Sequence, residues 1–167
     1  LDPGTYSVAE GNIPAGWDLT DTSCTSSKGD SESAGSISLQ AGETVTCVFT
    51  NTQRGHIIVD KLTDPSGDLQ SFNFDAVGGT DPIYQDFSLT DTDTPNDQEL
   101  RPGLYSVSET LPDGWDAGDV SCTSSIRDNE VANNLELDPG ETITCTFNNI
   151  KHGKITIEKV TVGGNDD

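Results

Sequence analysis

The sequence predicts an all-β fold built from tandem β-sandwich repeats of about 98 residues each, and three observations point to it. First, only 31% of residues are apolar and 6% aromatic, so any core must be economical. Gly, Ser, Thr, Asp and Asn dominate the remainder, the vocabulary of short strands joined by turns. A net charge of −21 would suit a disordered chain, yet apolar residues alternate cleanly in Leu135-Glu136-Leu137 and Ile155-Thr156-Ile157. Second, no segment shows sustained helical periodicity. A parallel sheet would need crossover helices, so the sheets are expected to be largely antiparallel.

The third observation is self-similarity. Leu1-Asp2-Pro3-Gly4-Thr5-Tyr6-Ser7-Val8 returns as Leu100-Arg101-Pro102-Gly103-Leu104-Tyr105-Ser106-Val107. Gly16-Trp17-Asp18 returns as Gly114-Trp115-Asp116, and Gly42-Glu43-Thr44-Val45-Thr46-Cys47 as Gly140-Glu141-Thr142-Ile143-Thr144-Cys145. Cys24 recurs as Cys122 and Lys61 as Lys159, each 98 positions on. The phase divides the chain into residues 1–53, the later part of one sandwich repeat; 54–151, a complete repeat; and 152–167, the first strand of a following one. Five of the eight basic residues (Arg54, Lys61, Lys151, Lys154 and Lys159) fall in or near the junctions, which sets the seams apart from the acidic bodies.

Within the complete repeat, strands are expected near 56–63, 71–77, 84–90, 103–109, 118–124, 133–137 and 142–149. Pro102-Gly103, Pro112-Asp113-Gly114 and Asp138-Pro139-Gly140 supply turns between them. Strand parity then assigns faces. Ile57 and Val59 share a face with Lys61, Tyr105 and Val107 with Glu109, and Ile143, Cys145 and Phe147 with Asn149. The partial repeats agree: Tyr6 and Val8 with Glu10; Val45, Cys47 and Phe49 with Asn51; Ile155 and Ile157 with Lys159.

A lysine and a glutamate on core-facing positions are costly unless they meet. Each could snorkel to water from a strand end, or the two could form a buried ion pair. Alternatively Lys, Glu and Asn form one reactive constellation. Burial disfavours both charges, a neutral Lys61 amine attacks the Asn149 side-chain carbonyl while Glu109 acts as acid, ammonia leaves, and an amide joins first strand to last. Asn148 is the neighbouring candidate amide, but repeat alignment with Thr50-Asn51 and strand parity both favour Asn149.

The series Ile-Ile-Val-Asp-Lys (57–61), Pro-Gly-Leu-Tyr-Ser-Val-Ser-Glu (102–109) and Thr-Cys-Thr-Phe-Asn-Asn (144–149) resembles the collagen-adhesin B-type, prealbumin-like repeat of bacterial surface adhesins and pilus shafts. The resemblance implies an Ig-like, prealbumin-like sandwich, with Lys61 as nucleophile, Glu109 as catalytic acid and Asn149 as crosslinked partner. Glu10, Asn51 and Lys159 are the equivalents in the partial repeats. The chain departs from better-known members in carrying a cysteine pair per repeat.

Those pairs, Cys24 with Cys47 and Cys122 with Cys145, have the same spacing and nothing like a zinc knuckle around them, so intradomain disulfides are expected. Closing such a loop contributes about 3 kcal/mol by the chain-entropy argument and places the protein outside a reducing cytosol, at the cell surface or beyond. Trp17 and Trp115 are expected to pack against these disulfides, a sugar platform being the alternative. The acidic stretch 91–99 reads as a solvated hairpin loop whose Asp91, Asp93, Asp97 and Glu99 could hold calcium. Pro95 and the missing turn glycine weaken that reading, and no other cofactor is expected.

The acidity excludes a nucleic-acid partner, no apolar stretch is long enough to span a membrane, and no catalytic motif beyond self-crosslinking is present. The expected function is that of a structural segment of an extracellular microbial stalk, pilus or fibril, partnered with itself head to tail. A ligand-binding adhesin module, recognising glycan or protein through aromatic and acidic loops, is the rival. Residues 1–53 lack a first strand and 153–167 offer one, which suits strand donation between copies. The two ends together lack the counterpart of 69–98, which suits instead a window on a longer continuous chain.

Overall fold

The computed structural model describes residues 1–163, and every regular element in that span is a β-strand. Residues 1–53 carry β1 (Gly4–Tyr6), β2 (Trp17–Ser26), β3 (Ile37–Leu39) and β4 (Val45–Gln53). After them come β5 (Gly55–Asp64), β6 (Phe72–Gly78), β7 (Phe87–Leu89), β8 (Asn96–Leu100), β9 (Gly103–Thr110), β10 (Trp115–Ser124), β11 (Leu135–Leu137) and β12 (Thr142–Lys151).

Residues 55–151 form two four-stranded sheets, ordered β10-β12-β5-β8 and β11-β9-β6-β7. Period-2 alternation drives the packing: β5 reads buried at Ile57, Val59, Lys61 and Thr63, and β12 at Ile143, Cys145, Phe147 and Asn149. Against these the other sheet presents Phe72, Phe74, Tyr105, Val107, Leu135 and Leu137, all in one core cluster. Phe74 meets Phe147 edge-on across the sandwich at 5.1 Å between ring centroids. Gly55 opens β5 where a Cβ would lie 2.7 Å from the Glu141 carbonyl, so only glycine allows the entering strand this close.

Residues 1–53 repeat half of this arrangement as two-stranded ladders, β2–β4 and β1–β3. Their apolar row of Val45, Cys47 and Phe49 is only half-buried.

Pairing is antiparallel throughout, as expected, with one exception. β5 and β12 lie parallel from His56↔Thr142 to Asp64↔Ile150. The chain between them is the whole sandwich, so no crossover helix is required. A second departure concerns 91–99. The stretch expected to be entirely loop ends in a strand, β8, antiparallel to the first half of β5 from Gly55↔Leu100 to Val59↔Asn96. Its charged, amide-rich sequence hides a sheet edge, where such residues discourage further pairing. The expected strand at 84–90 shrinks to Phe87–Leu89, because Tyr84 turns into the core. Residues 152–163 hold no sheet partner, so the strand expected there is unformed: a strand needs a neighbour for its backbone groups, and Ile155 and Ile157 are 91% and 90% exposed. Residues 164–167 of that expected strand lie outside the described residues.

Candidate functional site

Three elements bring Lys61, Glu109 and Asn149 together at one end of the core. Lys61 comes from β5 and Asn149 from β12, neighbours in one sheet, while Glu109 arrives from β9 in the facing sheet. Lys61 and Asn149 are each 1% exposed, and the Glu109 side chain is also buried. The glutamate bridges the other two: Lys61 Nζ stands 3.4 Å from Glu109 Oε1, and Asn149 Nδ2 donates to Glu109 Oε2 at 2.8 Å. Lys61 Nζ also donates to the carbonyls of Leu62 at 2.7 Å and Phe147 at 3.2 Å. The amine lies 4.3 Å from the centroid of the Phe72 ring, whose face it covers. Snorkelling is thereby ruled out, since the side chain turns inward.

Burial pushes the Lys61 amine below the ordinary lysine range, against the opposing pull of the Glu109 carboxylate. Asn148 faces the other side of the sheet and is only half-buried, so of the two neighbouring amides it is Asn149 that meets Glu109. Beside Glu109 an apolar groove of about 370 Å³ opens between the sheets, lined in part by Val107, Leu111, Val120, Val131 and Phe147.

Both disulfides form as expected, Cys24–Cys47 and Cys122–Cys145, each tying directly opposed residues of β2 and β4 or β10 and β12. The tryptophans do not pack against them. Trp115 lies at the opposite end of β10 from Cys122, edge-on to Phe72 at 5.1 Å and beneath Lys151. Buried there, it offers no platform to a sugar.

The four acidic residues proposed to hold calcium do not converge. Asp91 accepts hydrogen bonds from Thr63 Oγ1 and the Gly67 amide, and Asp93 from the Thr90 amide. Asp97 pairs with His56 at 2.8 Å, and Glu99 faces Arg54 at 3.6 Å. Strand β8 carries Asp97 and Glu99 away from the loop, which removes the geometry that a calcium site needs.

Sequence reasoning missed Glu141. Fully buried, it accepts from Ser124 Oγ and the Asp138 amide and so locks the turn into β12. The recurrence of Ser26 and Glu43 as Ser124 and Glu141 was the available signal; Ser26 donates to Glu43 in the same way.

The seam is held by Asp18 of β2. Arg54 donates to both of its carboxylate oxygens at 2.8 and 2.9 Å, and Arg101 adds a bond of 3.0 Å from the sandwich beyond. At the far end His152 replaces Arg54, meeting Asp116 at 3.0 Å.

A model of the prealbumin-like fold domain family matches residues 1–53 and 57–151. Among solved structures, the major pilin of Streptococcus pyogenes is 15% identical with a TM-score of 0.38, over 91% of this chain and 72% of the pilin. The TIE protein of Bacillus anthracis is 16% identical with a TM-score of 0.40, over 89% of this chain and 34% of that protein. No curated protein matches the chain.

Proposed function

Because this chain belongs to the family of prealbumin-like fold domains, we propose that it is a load-bearing structural segment of an extracellular microbial stalk or pilus, in which Lys61 and Asn149 become covalently joined. The observation that carries the reading is the parallel pairing of β5 with β12, with the Lys61–Glu109–Asn149 cluster buried between them.

Tension applied along the chain enters residues 55–151 at the start of β5 and leaves at the end of β12. Parallel neighbours pulled in this way slide past each other, so their ladder bonds resist together rather than opening one at a time. A covalent link from Lys61 to Asn149 takes the load across the sheet and shields residues 62–148. An extracellular setting agrees with the two disulfides. The seam clamp at Asp18 would keep successive repeats aligned head to tail.

The chemistry follows from the contacts. A proton passes from the Lys61 ammonium to the Glu109 carboxylate across their 3.4 Å contact, leaving a neutral amine in a site that already disfavours its charge. The amine attacks the Asn149 side-chain carbon, the C–Nδ2 bond breaks, and ammonia departs. Glu109 faces the nitrogen rather than the carbonyl oxygen, so its main task is to hand the proton to the leaving group.

Single-molecule extension tests the reading. With the Cys122–Cys145 disulfide reduced, the wild-type segment should yield only the few residues outside the link, whereas Asn149→Ala should release on the order of 300 Å more, at about 3.5 Å per residue. Full-length extension of the wild type would contradict it.

A further inference from the structure

The groove beside Glu109 is built unlike the rest of the core. Its floor is Val107 and Phe147, both buried, yet its walls stay open. Val120 stands opposite Phe147 in the ladder and faces inward, but it is 48% exposed, and Val131 on the other wall is 55% exposed. The volume of about 370 Å³ falls among ligand clefts, which run from roughly 300 to 1,000 Å³.

Both sheets end at this groove. β10 is the outer strand of one sheet, and in the facing sheet β11 covers β9 only from Gly103 to Tyr105. Further along, the Val107 amide takes the Ala132 carbonyl at 2.8 Å. Beyond that bond no strand lies beside β9 on this side among the described residues. Amides alternate in direction along an antiparallel ladder. The Glu109 N–H and C=O therefore point the same way as those of Val107, away from β6 and towards the open side.

The charged residues lining the groove are both carboxylates. Glu109 already holds Lys61. Glu130 is 8% exposed and accepts only from the Glu136 amide, at 3.0 Å, among the described residues. Burial, and then the charges of Asp128, Glu141 and Glu136, push its carboxyl above the usual carboxylate range. None of those neighbours is a cation.

The local structure does not require apolar walls. Residues 1–53 keep the Glu–Asn pair, with Asn51 Nδ2 donating to Glu10 Oε1 at 2.6 Å as Asn149 does to Glu109. They also keep the ladder, in which Thr22 stands opposite Phe49 as Val120 does opposite Phe147. Yet Thr22 and Ser33 occupy the positions of Val120 and Val131. Two exposed valines in the second repeat call for something to cover them.

We infer that this groove docks an extended segment of a partner protein, one that carries aliphatic side chains and a lysine or arginine on the same face. The segment adds to the free edge of β9 beside Glu109 through backbone hydrogen bonds. Side chains of one parity enter the groove: the aliphatic ones cover Val120 and Val131, and the basic one meets Glu130. A peptide suits the site better than a small amine because open strand edges flank it. The net charge of −21 opposes a second copy of the chain and favours a cationic partner.

The test is amide NMR of the full chain titrated with the heptapeptide Lys-Thr-Val-Thr-Val-Thr-Lys, acetylated and amidated. Its lysines and valines share one face in either direction of docking. Saturable shifts confined to 107–111, 117–122 and 130–133 are expected. The analogue with serine for valine keeps the charge and should not saturate. Glu130→Gln keeps an acceptor for the Glu136 amide but loses the charge, and it should weaken binding by about tenfold. Val120→Arg, at a wall position already half-exposed, should abolish binding with the spectrum otherwise intact. Neither variant alters Lys61, Glu109 or Asn149, whose mass deficit remains a separate check on the crosslink. Equal binding by the serine analogue or by butylammonium would overturn the inference. So would shifts elsewhere on the molecule, shifts that grow with protein concentration before peptide is added, or no binding at millimolar peptide.

Discussion

Residues 1–53 and residues 55–151 contain the same local devices and differ in what covers them. Each has a disulfide between directly opposed cysteines and a serine donating to a turn glutamate. In each a tyrosine hydroxyl reaches back to a carbonyl four residues earlier, Tyr6 to Asp2 and Tyr105 to Arg101, both at 2.7 Å. The Glu–Asn pair recurs as well. Yet Trp115 is 7% exposed and Trp17 39%, Val107 2% and Val8 43%. What separates them is non-local: β5 and β8 widen one sheet, and β6 and β7 the other. Hydrogen-bonded turns and strand pairs form from nearby sequence, but burial of their apolar faces needs strands from distant parts of the chain.

The largest expected difference lies at the Glu–Asn pairs. Lys61→Ala removes the partner of a buried carboxylate and should cost about 3–5 kcal/mol in chemical denaturation, besides abolishing any Lys61–Asn149 bond. Glu10→Ala in residues 1–53 removes a group that already lacks a partner for Oε2, so its cost should stay within roughly 1 kcal/mol. Equal costs at the two sites would show that the amine contributes nothing to the complete sandwich.

A smaller effect is expected at the seam. Asp18→Asn should change the stability of residues 55–151 by less than about 1 kcal/mol, as partly exposed ion pairs do, while loosening the alignment of the two regions. Hydrogen bonds from Arg54, then from Arg101, hold the Asp18 carboxyl far below the usual carboxylate range. A carboxyl depressed in the folded state contributes fully above its unfolded value of roughly 3.9, and the contribution is lost as pH falls through the folded value. Orientational NMR restraints between the two regions should therefore hold steady from pH 8 down to about 4 and weaken only in stronger acid. Loosening near neutral pH would show that the clamp is not what aligns them.

Much of the site was legible because parity in a strand is strict. Lys61, Glu109 and Asn149 each continue a row of apolar residues, and that is enough to turn all three inward and to choose Asn149 over Asn148. The repeat then located Glu10 and Asn51 without any geometry. Pairing across the fold was not legible. That β5 lies beside β12, and parallel to it, depends on closing a loop of the whole sandwich, and no local pattern in 55–64 or 142–151 announces it. β8 was hidden because Asp97 and Glu99 make an edge strand look like an acidic loop. Trp115 was misplaced because its spacing along the chain to Cys122 says nothing about which neighbour fills the space beneath it; Phe72 does.

The central claim is that the buried lysine and asparagine of the complete sandwich become one amide. The most direct measurement is the reduced, denatured mass of the full chain as a monomer, with fragmentation to locate the change. A deficit of about 17 Da, carried by a branched fragment containing Lys61 and Asn149 and lost in Glu109→Gln, is the expected result. An unmodified mass, with Lys61 and Asn149 recovered on separate unbranched fragments, would contradict it.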